Sequence, residues 1–360
     1  MGIFADRPTL LVTGRAATAL YLLFRARFPE KSGDVILPAN ICHAAVYPVL
    51  HAGLSPVLCD IDPRTGNATV ETVRQAFTRE TRAVVLPHMY GTPVRDAEAI
   101  AALCRTRGAI LIEDCASALG AEGVGSLGDD VIYSTGHAKI VDLGWGGILC
   151  TGLSAEVFQP FMDELYPDDA DARNLETRFG QVYRAYLNSR RPLAEFPQKD
   201  FFRSDFRRIH LRLPHASPDL PACVCRALPM ELALRRERWN LLSGLFEASG
   251  CRDAGIQILD SPSGAVPWRF SFLVSPENRP RIASALLSAG LPVSDWYPSN
   301  ADFFASSLPV PGAEWHGHSI LNLPLTISDS DACRACDLVV TTLQSAIDSG
   351  TIPPSARSIQ

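Results

Sequence analysis

The chain has 360 residues, 47% hydrophobic and 20% charged, with a formal net charge of −6. A disordered chain needs low hydrophobicity and high net charge, and an acidic chain without a dense Lys/Arg block is a poor nucleic-acid binder, so both classes are excluded. No apolar run nears the ~18 residues of a membrane span. The opening MGIFADRPTLLV does not read as a signal peptide, so a cytoplasmic protein with ten reduced cysteines is expected.

Fully apolar runs at residues 35–37, 57–59, 83–86 and 109–112 read as buried strands, with further candidates at 131–133 and 147–150. Helical patterns lie between the early ones, at about 16–27, 44–52, 70–78 and 96–107. Thr69-Val70-Glu71 and Pro93-Val94-Arg95-Asp96 supply helix starts. Apolar strands interleaved with helices predict α/β architecture with a mostly parallel sheet. The pattern then changes. Helices are predicted at about 155–165 and 174–188, followed by an Arg-rich stretch at 200–212. A strong helix at 229–248 carries Arg235-Arg236-Glu237-Arg238, read as a solvated face. A smaller α/β unit follows, with strands at 268–274 and 320–323 and helices at 279–289 and 332–349. Residues 352–360 read as a frayed tail. The predicted division is a large domain, 1–228, with a helical insert at about 152–212; a small domain, 229–352; and a tail, 353–360.

Gly123-Val124-Gly125-Ser126-Leu127-Gly128 fits GxGxxG by letter. A dinucleotide fingerprint must leave a strand and open a helix, whereas this string sits about ten residues past a strand and leads into another, so it reads as a glycine-rich loop. Cys223/Cys225 are too close for a zinc knuckle, and Cys333/Cys336 have no second knuckle and read as buried small residues. His316 and His318 read as a surface loop or substrate contact, and no metal site is assigned.

The basic residues are 3 Lys (Lys31, Lys139, Lys199) and 30 Arg. A lysine kept in a structured segment therefore needs a reason that Arg cannot meet, and Arg cannot serve as an amine nucleophile. Asp114 ends a central strand, where open α/β sheets place ligands. Lys139 follows one strand later in a Gly-containing loop. A desolvated lysine has a lowered pKa and condenses with aldehydes. A carboxylate facing a pyridinium nitrogen keeps that ring an electron sink, and Ser134 is placed to bond a phosphate. These are the parts of a pyridoxal phosphate (PLP) site. The alternative on spacing alone is that Asp114 caps its strand and Lys139 is a solvated loop residue.

Several segments, in order and spacing, resemble the DegT/DnrJ/StrS sugar aminotransferases, within the fold-type I PLP enzymes. They are Thr18-Ala19-Leu20, Val35-Ile-Leu-Pro-Ala39, Gly53 through Asp62, Thr81 through Gly91, Ile112-Glu-Asp114-Cys-Ala116, Gly125 through Thr151, Tyr297-Pro298 and Leu321-Asn-Leu-Pro324. The resemblance implies that Lys139 holds PLP and moves the proton. It implies that Asp114 binds the ring nitrogen, and that Ser134, Thr18 and the backbone at Ala17 bind the phosphate. It further implies a glutamate or similar donor, a keto-sugar nucleotide acceptor and a homodimer. The chain departs from the family pattern in places. Arg15-Ala16-Ala17 replaces Ser-Gly-Thr. Cys42 replaces an aromatic over the ring, with His43 beside it as the residue that would stack instead. Ser117 replaces Gln or His, and Trp145 precedes Gly146-Gly147. The Gly-x-Asn-x-Arg segment has no clear match at 210–217. His137 is the nearby alternative to Lys139, as in dehydratase relatives, but Lys139 has the better register. A PLP lyase, decarboxylase or C–C bond-forming enzyme, or a non-catalytic regulator, are the other readings of the same scaffold.

Overall fold

The apolar runs build a seven-stranded sheet from β1 (Thr9–Thr13), β2 (Asp34–Pro38), β3 (Ser55–Cys59), β4 (Thr81–Pro87), β5 (Ile110–Asp114), β6 (Asp130–Ser134) and β7 (Gly147–Thr151). Their order is β1-β7-β6-β5-β4-β2-β3. Five strands from β3 to β6 run parallel, and β7 runs antiparallel to both its neighbours, β6 and β1. The structure is a computed structural model. It describes residues 3–165, 170–189, 217–251, 253–304 and 306–348, together with 197 and 211. The Arg-rich stretch at 200–212, all but Leu211, and the tail fall outside the described residues.

Four helices follow the early strands: α1 (Ala16–Arg27), α2 (His43–His51), α3 (Val70–Ala76) and α4 (Ala97–Arg107). Nine of the residues of α1, Ala17 through Arg25, are buried, and its basic residues Arg25 and Arg27 occupy its last turn. An almost uniformly apolar helix belongs inside a core, and cations at its carboxyl end complement the helix dipole. Arg27 reaches the sheet, where its Nε and Nη2 bond Asp130 Oδ2 and Oδ1 at 3.1 and 2.9 Å. At α3, Thr69 and Thr72 form a reciprocal cap. Asp96 accepts from the Val70 amide at 3.0 Å, so it serves α3 rather than capping α4 with its own side chain. The edge strand β1 was not foreseen. Its burial is uneven and Leu10 is exposed, so its five residues carry no buried-strand signature.

Beyond the sheet, the predicted helix at 155–165 is a 3₁₀ turn at Ala155–Phe158 followed by a single α-turn at Gln159–Met162. The helix predicted at 174–188 is α5 (Ala170–Ser189). The helix predicted to start at 229 starts earlier, as α6 (Leu220–Ala248), with Pro229 inside it. Leu220, Val224 and Leu228 pack with Val131, Tyr133 and Ile148 of the large sheet. Leu242 and Phe246 pack with Phe270 and Phe272 of a second core. That core belongs to a three-stranded antiparallel sheet of β8 (Gln257–Ile258), β9 (Phe270–Leu273) and β10 (Ile320–Leu323). It is covered by α7 (Arg279–Ser288) and α9 (Asp329–Asp348), with α8 (Pro311–Ser319) leading into β10.

The run Arg235–Arg238 corrects its sequence reading. Arg235 donates to the carbonyls of Lys139, Ile140 and Trp268, Arg236 to those of Ser261 and Ala265, and Arg238 to those of Leu325 and Ile327. Three half-buried guanidiniums thus satisfy carbonyls of segments that leave their own hydrogen-bond ladders, while Glu237 alone stays exposed.

Candidate active site

The carboxyl ends of β5 and β6 meet the start of β7 and of α1. Asp114 pairs with Ile132, and Ser134, the last residue of β6, pairs with Gly147, which also pairs with Thr13. A Cβ on Gly147 would lie 2.4 Å from Ala16 N, so glycine is what lets α1 begin against the sheet. Arg15 opens α1 in an extended conformation, and no side chain caps it. Ala17 and Thr18 are buried in its first turn, and Ser134 is buried beside it at the strand ends. Uncapped first-turn amides attract anions.

Behind Asp114 lies a buried knot. Glu113 Oε1 accepts from Gly125 N at 3.0 Å and faces His88 Nε2 at 3.1 Å. Its Oε2 accepts from Leu127 N at 2.8 Å and Gly128 N at 2.6 Å. Val94 N donates to His88 Nδ1 at 3.0 Å, so the network assigns the ring proton to Nε2, which donates to Glu113. The His88 amide donates to the Asp114 carbonyl at 3.1 Å, anchoring the strand end that carries the site. The glycine string at 123–128 is therefore the loop its sequence suggested, and its amides wrap a carboxylate of the protein itself. Burial would raise the Glu113 pKa, but the His88 bond and the Gly128 and Gly125 amides outweigh it and hold it below the usual range. With its folded pKa depressed, Glu113 contributes stability that is present above about pH 4.3 and lost as pH falls below it. Glu113→Gln should cost about 3 kcal/mol or more, because buried donors then lose a charged acceptor. Urea unfolding at pH 7 and pH 4 measures this, with the gap between wild type and variant narrowing at the lower pH.

Asp114 Oδ1 accepts from the Ala116 amide at 2.9 Å. Burial raises the Asp114 pKa, and the Lys139 charge, the Ala116 amide and His88 pull partly against it. Lys139 sits on a tightly held loop. Asp142 accepts from Ala138 N at 2.7 Å and Gly144 N at 2.9 Å, and Ala138 takes a left-handed φ of 58°. Arg235 holds the Lys139 carbonyl at 3.0 Å, and Trp268 Nε1 donates to the Ala138 carbonyl at 2.5 Å. His137 points to solvent, 4.0 Å from Asp142, whereas the Lys139 amine lies within electrostatic reach of Tyr297, Cys42 and Asp114. The expectation of a lowered lysine pKa is corrected. Burial lowers it, but Tyr297, Cys42 and Asp114 raise it more, and the net direction is upward. No carboxylate among the described residues forms an ion pair with this amine.

The remaining predicted residues separate. Cys42 faces Lys139 and Asp114, and burial pushes its thiol pKa up. The His43 ring stacks on Trp296 at 6.3 Å and meets Tyr47 edge-on at 6.2 Å, and burial lowers its pKa to about 4. The Ser117 side chain lies close to the phenol of Tyr297. Tyr297 and Arg269 are site residues that the sequence reading missed. Tyr297 appeared only within a motif without a role, and nothing marks Arg269 among thirty arginines. His316 is not on a loop. It is buried on α8, its Nδ1 bonds the Pro63 carbonyl at 2.7 Å, and its Nε2 meets Tyr90 Oη at 2.8 Å. Tyr90 Oη in turn accepts from the Tyr297 amide at 3.2 Å, which ties Tyr297 to the large sheet's loops. His318 is exposed on the same helix, and so is Cys333 on α9, where only Cys336 is buried. No group of three or more His, Cys, Asp or Glu among the described residues is placed to hold a metal. A cleft of about 930 Å³, lined by residues such as Asp62, Asp96, Glu122 and Asp260, contains none of the predicted site residues.

A buried carboxylate, an amine with no ion-pair partner among the described residues and an uncapped helix start beside Ser134 suit one flat heterocycle with a ring nitrogen, a carbonyl and a phosphate. The residues fit PLP. The family model described as the DegT/DnrJ/EryC1/StrS aminotransferase family matches residues 4–156. Over these residues the chain is similar to that family. It is a PLP-dependent aminotransferase. It is 28% identical over 350 residues to dTDP-4-dehydro-2,3,6-trideoxy-D-glucose 4-aminotransferase of Saccharopolyspora spinosa, covering 92% of this chain and 83% of that one. It is 40% identical over 149 residues to L-glutamine:2-deoxy-scyllo-inosose aminotransferase of Streptoalloteichus tenebrarius, covering 39% of this chain and 34% of the relative. Among solved structures, DesI in the presence of its TDP-sugar product superposes with a TM-score of 0.73 at 21% identity, covering 97% of this chain and 84% of that one. The fold is thus that of a large sheet domain with a smaller carboxyl-terminal unit, shared along nearly the whole chain.

Proposed function

We propose that this protein transfers an amino group from glutamate, or a similar donor, to a keto-sugar nucleotide. Its long relative acts on a dTDP-linked dehydro sugar, which supports that acceptor class. The observation that carries the reading is that the Lys139 amine, on the loop after β6, lies within electrostatic reach of Asp114 at the carboxyl end of the neighbouring β5. When bound, PLP supplies a carbonyl that exchanges amino groups and a ring that accepts an electron pair. Asp114 would keep the ring nitrogen charged. Ser134, Thr18 and the amide at Ala17 would hold the phosphate. The Lys139 amine would hold the cofactor at rest and, once displaced by the donor, carry a proton at Nζ. Cys42, His43 and Ser117 would line the ring's surroundings, Ser117 beside Tyr297. The enzyme is further proposed to be a cytoplasmic homodimer whose large and small domains meet near residue 228 on α6.

The test is amino transfer from glutamate to a panel of keto-sugar nucleotides and free keto sugars, followed by 2-oxoglutarate release. Stoichiometric 2-oxoglutarate and amino-sugar nucleotide are expected. Cofactor binding with amine transfer to none of the panel would overturn the acceptor class.

A further inference from the structure

The segment that follows α6 into β9 is fastened to the Lys139 loop. Arg235 bonds the carbonyls of Lys139 at 3.0 Å and Trp268 at 2.9 Å, and the Trp268 indole bonds Ala138. The next residue, Arg269, is consequently held at the site. Its guanidinium lies 4.4 Å over the Trp268 ring, and its Nη1 donates to Ser294 Oγ. It lies within electrostatic reach of both Tyr297 and Lys139. A guanidinium carries five N–H donors, and among the described residues only this one bond, to a neutral hydroxyl, is made. No carboxylate among them forms an ion pair with it. A half-buried cation so sparsely paired is costly unless an anion joins it.

From this geometry we infer that Arg269 is the carboxylate-recognising residue for the amino donor. The inference rests on the amino-transfer reading above. The geometry favours a carboxylate over the acceptor's diphosphate. In an α-amino acid the carboxylate carbon is two bonds from the nitrogen, and that nitrogen must arrive where the Lys139 amine acts. A cation within electrostatic reach of Lys139 is placed to meet that carboxylate, whereas a sugar ring separates a diphosphate from its keto carbon. The Trp268 face fixes the plane of the fork, which suits bidentate recognition.

The probes are glutarate, which has the carboxylates but no amine, and inorganic pyrophosphate. Each is titrated into the cofactor-loaded protein and followed by tryptophan fluorescence, which Trp268 beneath the guanidinium should report. Arg269→Gln is expected to weaken glutarate about 10- to 100-fold, while leaving pyrophosphate unchanged. Arg269→Lys should recover part of the loss. Glutamate KM should rise by a similar factor in the first half-reaction, with cofactor content unchanged. Should Arg269→Gln not fold, Ser294→Ala removes the guanidinium's one hydrogen-bond partner among the described residues and should weaken glutarate about threefold or more. Unchanged glutarate binding in the folded variants, or loss of pyrophosphate binding instead, overturns the assignment. Glutarate binding needs no amino transfer, so its outcome is separate from the fate of the proposed acceptor.

Discussion

Lys139→Ala is expected to lower amino transfer by at least about 1,000-fold, since the proposed function gives this amine both the covalent hold on the cofactor and the movement of the proton. Lys139→Arg should fare no better. A guanidinium keeps the charge that faces Asp114 but cannot shed a proton, so it supplies neither function. The fold should survive, because the loop is held by Asp142, Arg235 and Trp268 through backbone atoms, not by the lysine side chain. Single-turnover conversion of glutamate to 2-oxoglutarate, with cofactor content measured on the same sample, separates lost chemistry from lost binding.

Asp114→Asn should reduce turnover by about 100- to 1,000-fold while leaving the protein folded. The amide side chain still presents an oxygen to the Ala116 amide, which Asp114 Oδ1 bonds at 2.9 Å. The β5 end remains anchored through the backbone bond from His88 and the Glu113 knot. Only the negative charge proposed to face the ring nitrogen is removed, so the ring would lose much of its capacity to take up electrons. A fall in the rate of proton removal from glutamate, with cofactor affinity reduced far less, is the expected signature. Equal activity in this variant would mean that the carboxylate serves the strand end alone.

The parallel sheet was legible because its strands are continuous apolar runs ended by Pro or an acidic residue, and α1 was legible to its end residues. The site's first half was legible for a compositional reason. In a chain with three lysines, the one placed a strand beyond Asp114 stands out. What stayed hidden depends on contacts across long stretches of sequence. Glu113 reads as a neighbour of Asp114, and nothing local shows that amides from the glycine string close around it. Arg235–Arg238 look like any solvated run until their carbonyl acceptors, far along the chain, are in place. Tyr297 and Arg269 reach Lys139 only through the docking of the small unit. The lysine's pKa direction was misjudged because burial alone was weighed, without the Tyr297, Cys42 and Asp114 groups that burial brings along.

The central claim is that the Lys139 amine and the Asp114 carboxylate hold one cofactor between them. Borohydride reduction of the PLP-loaded protein, followed by peptide mass analysis, tests it most directly. The pyridoxyl mass is expected on the peptide carrying Lys139, with its yield sharply reduced in Asp114→Asn under limiting cofactor. The same mass on Lys31 or Lys199, or on no lysine at all, would contradict the account.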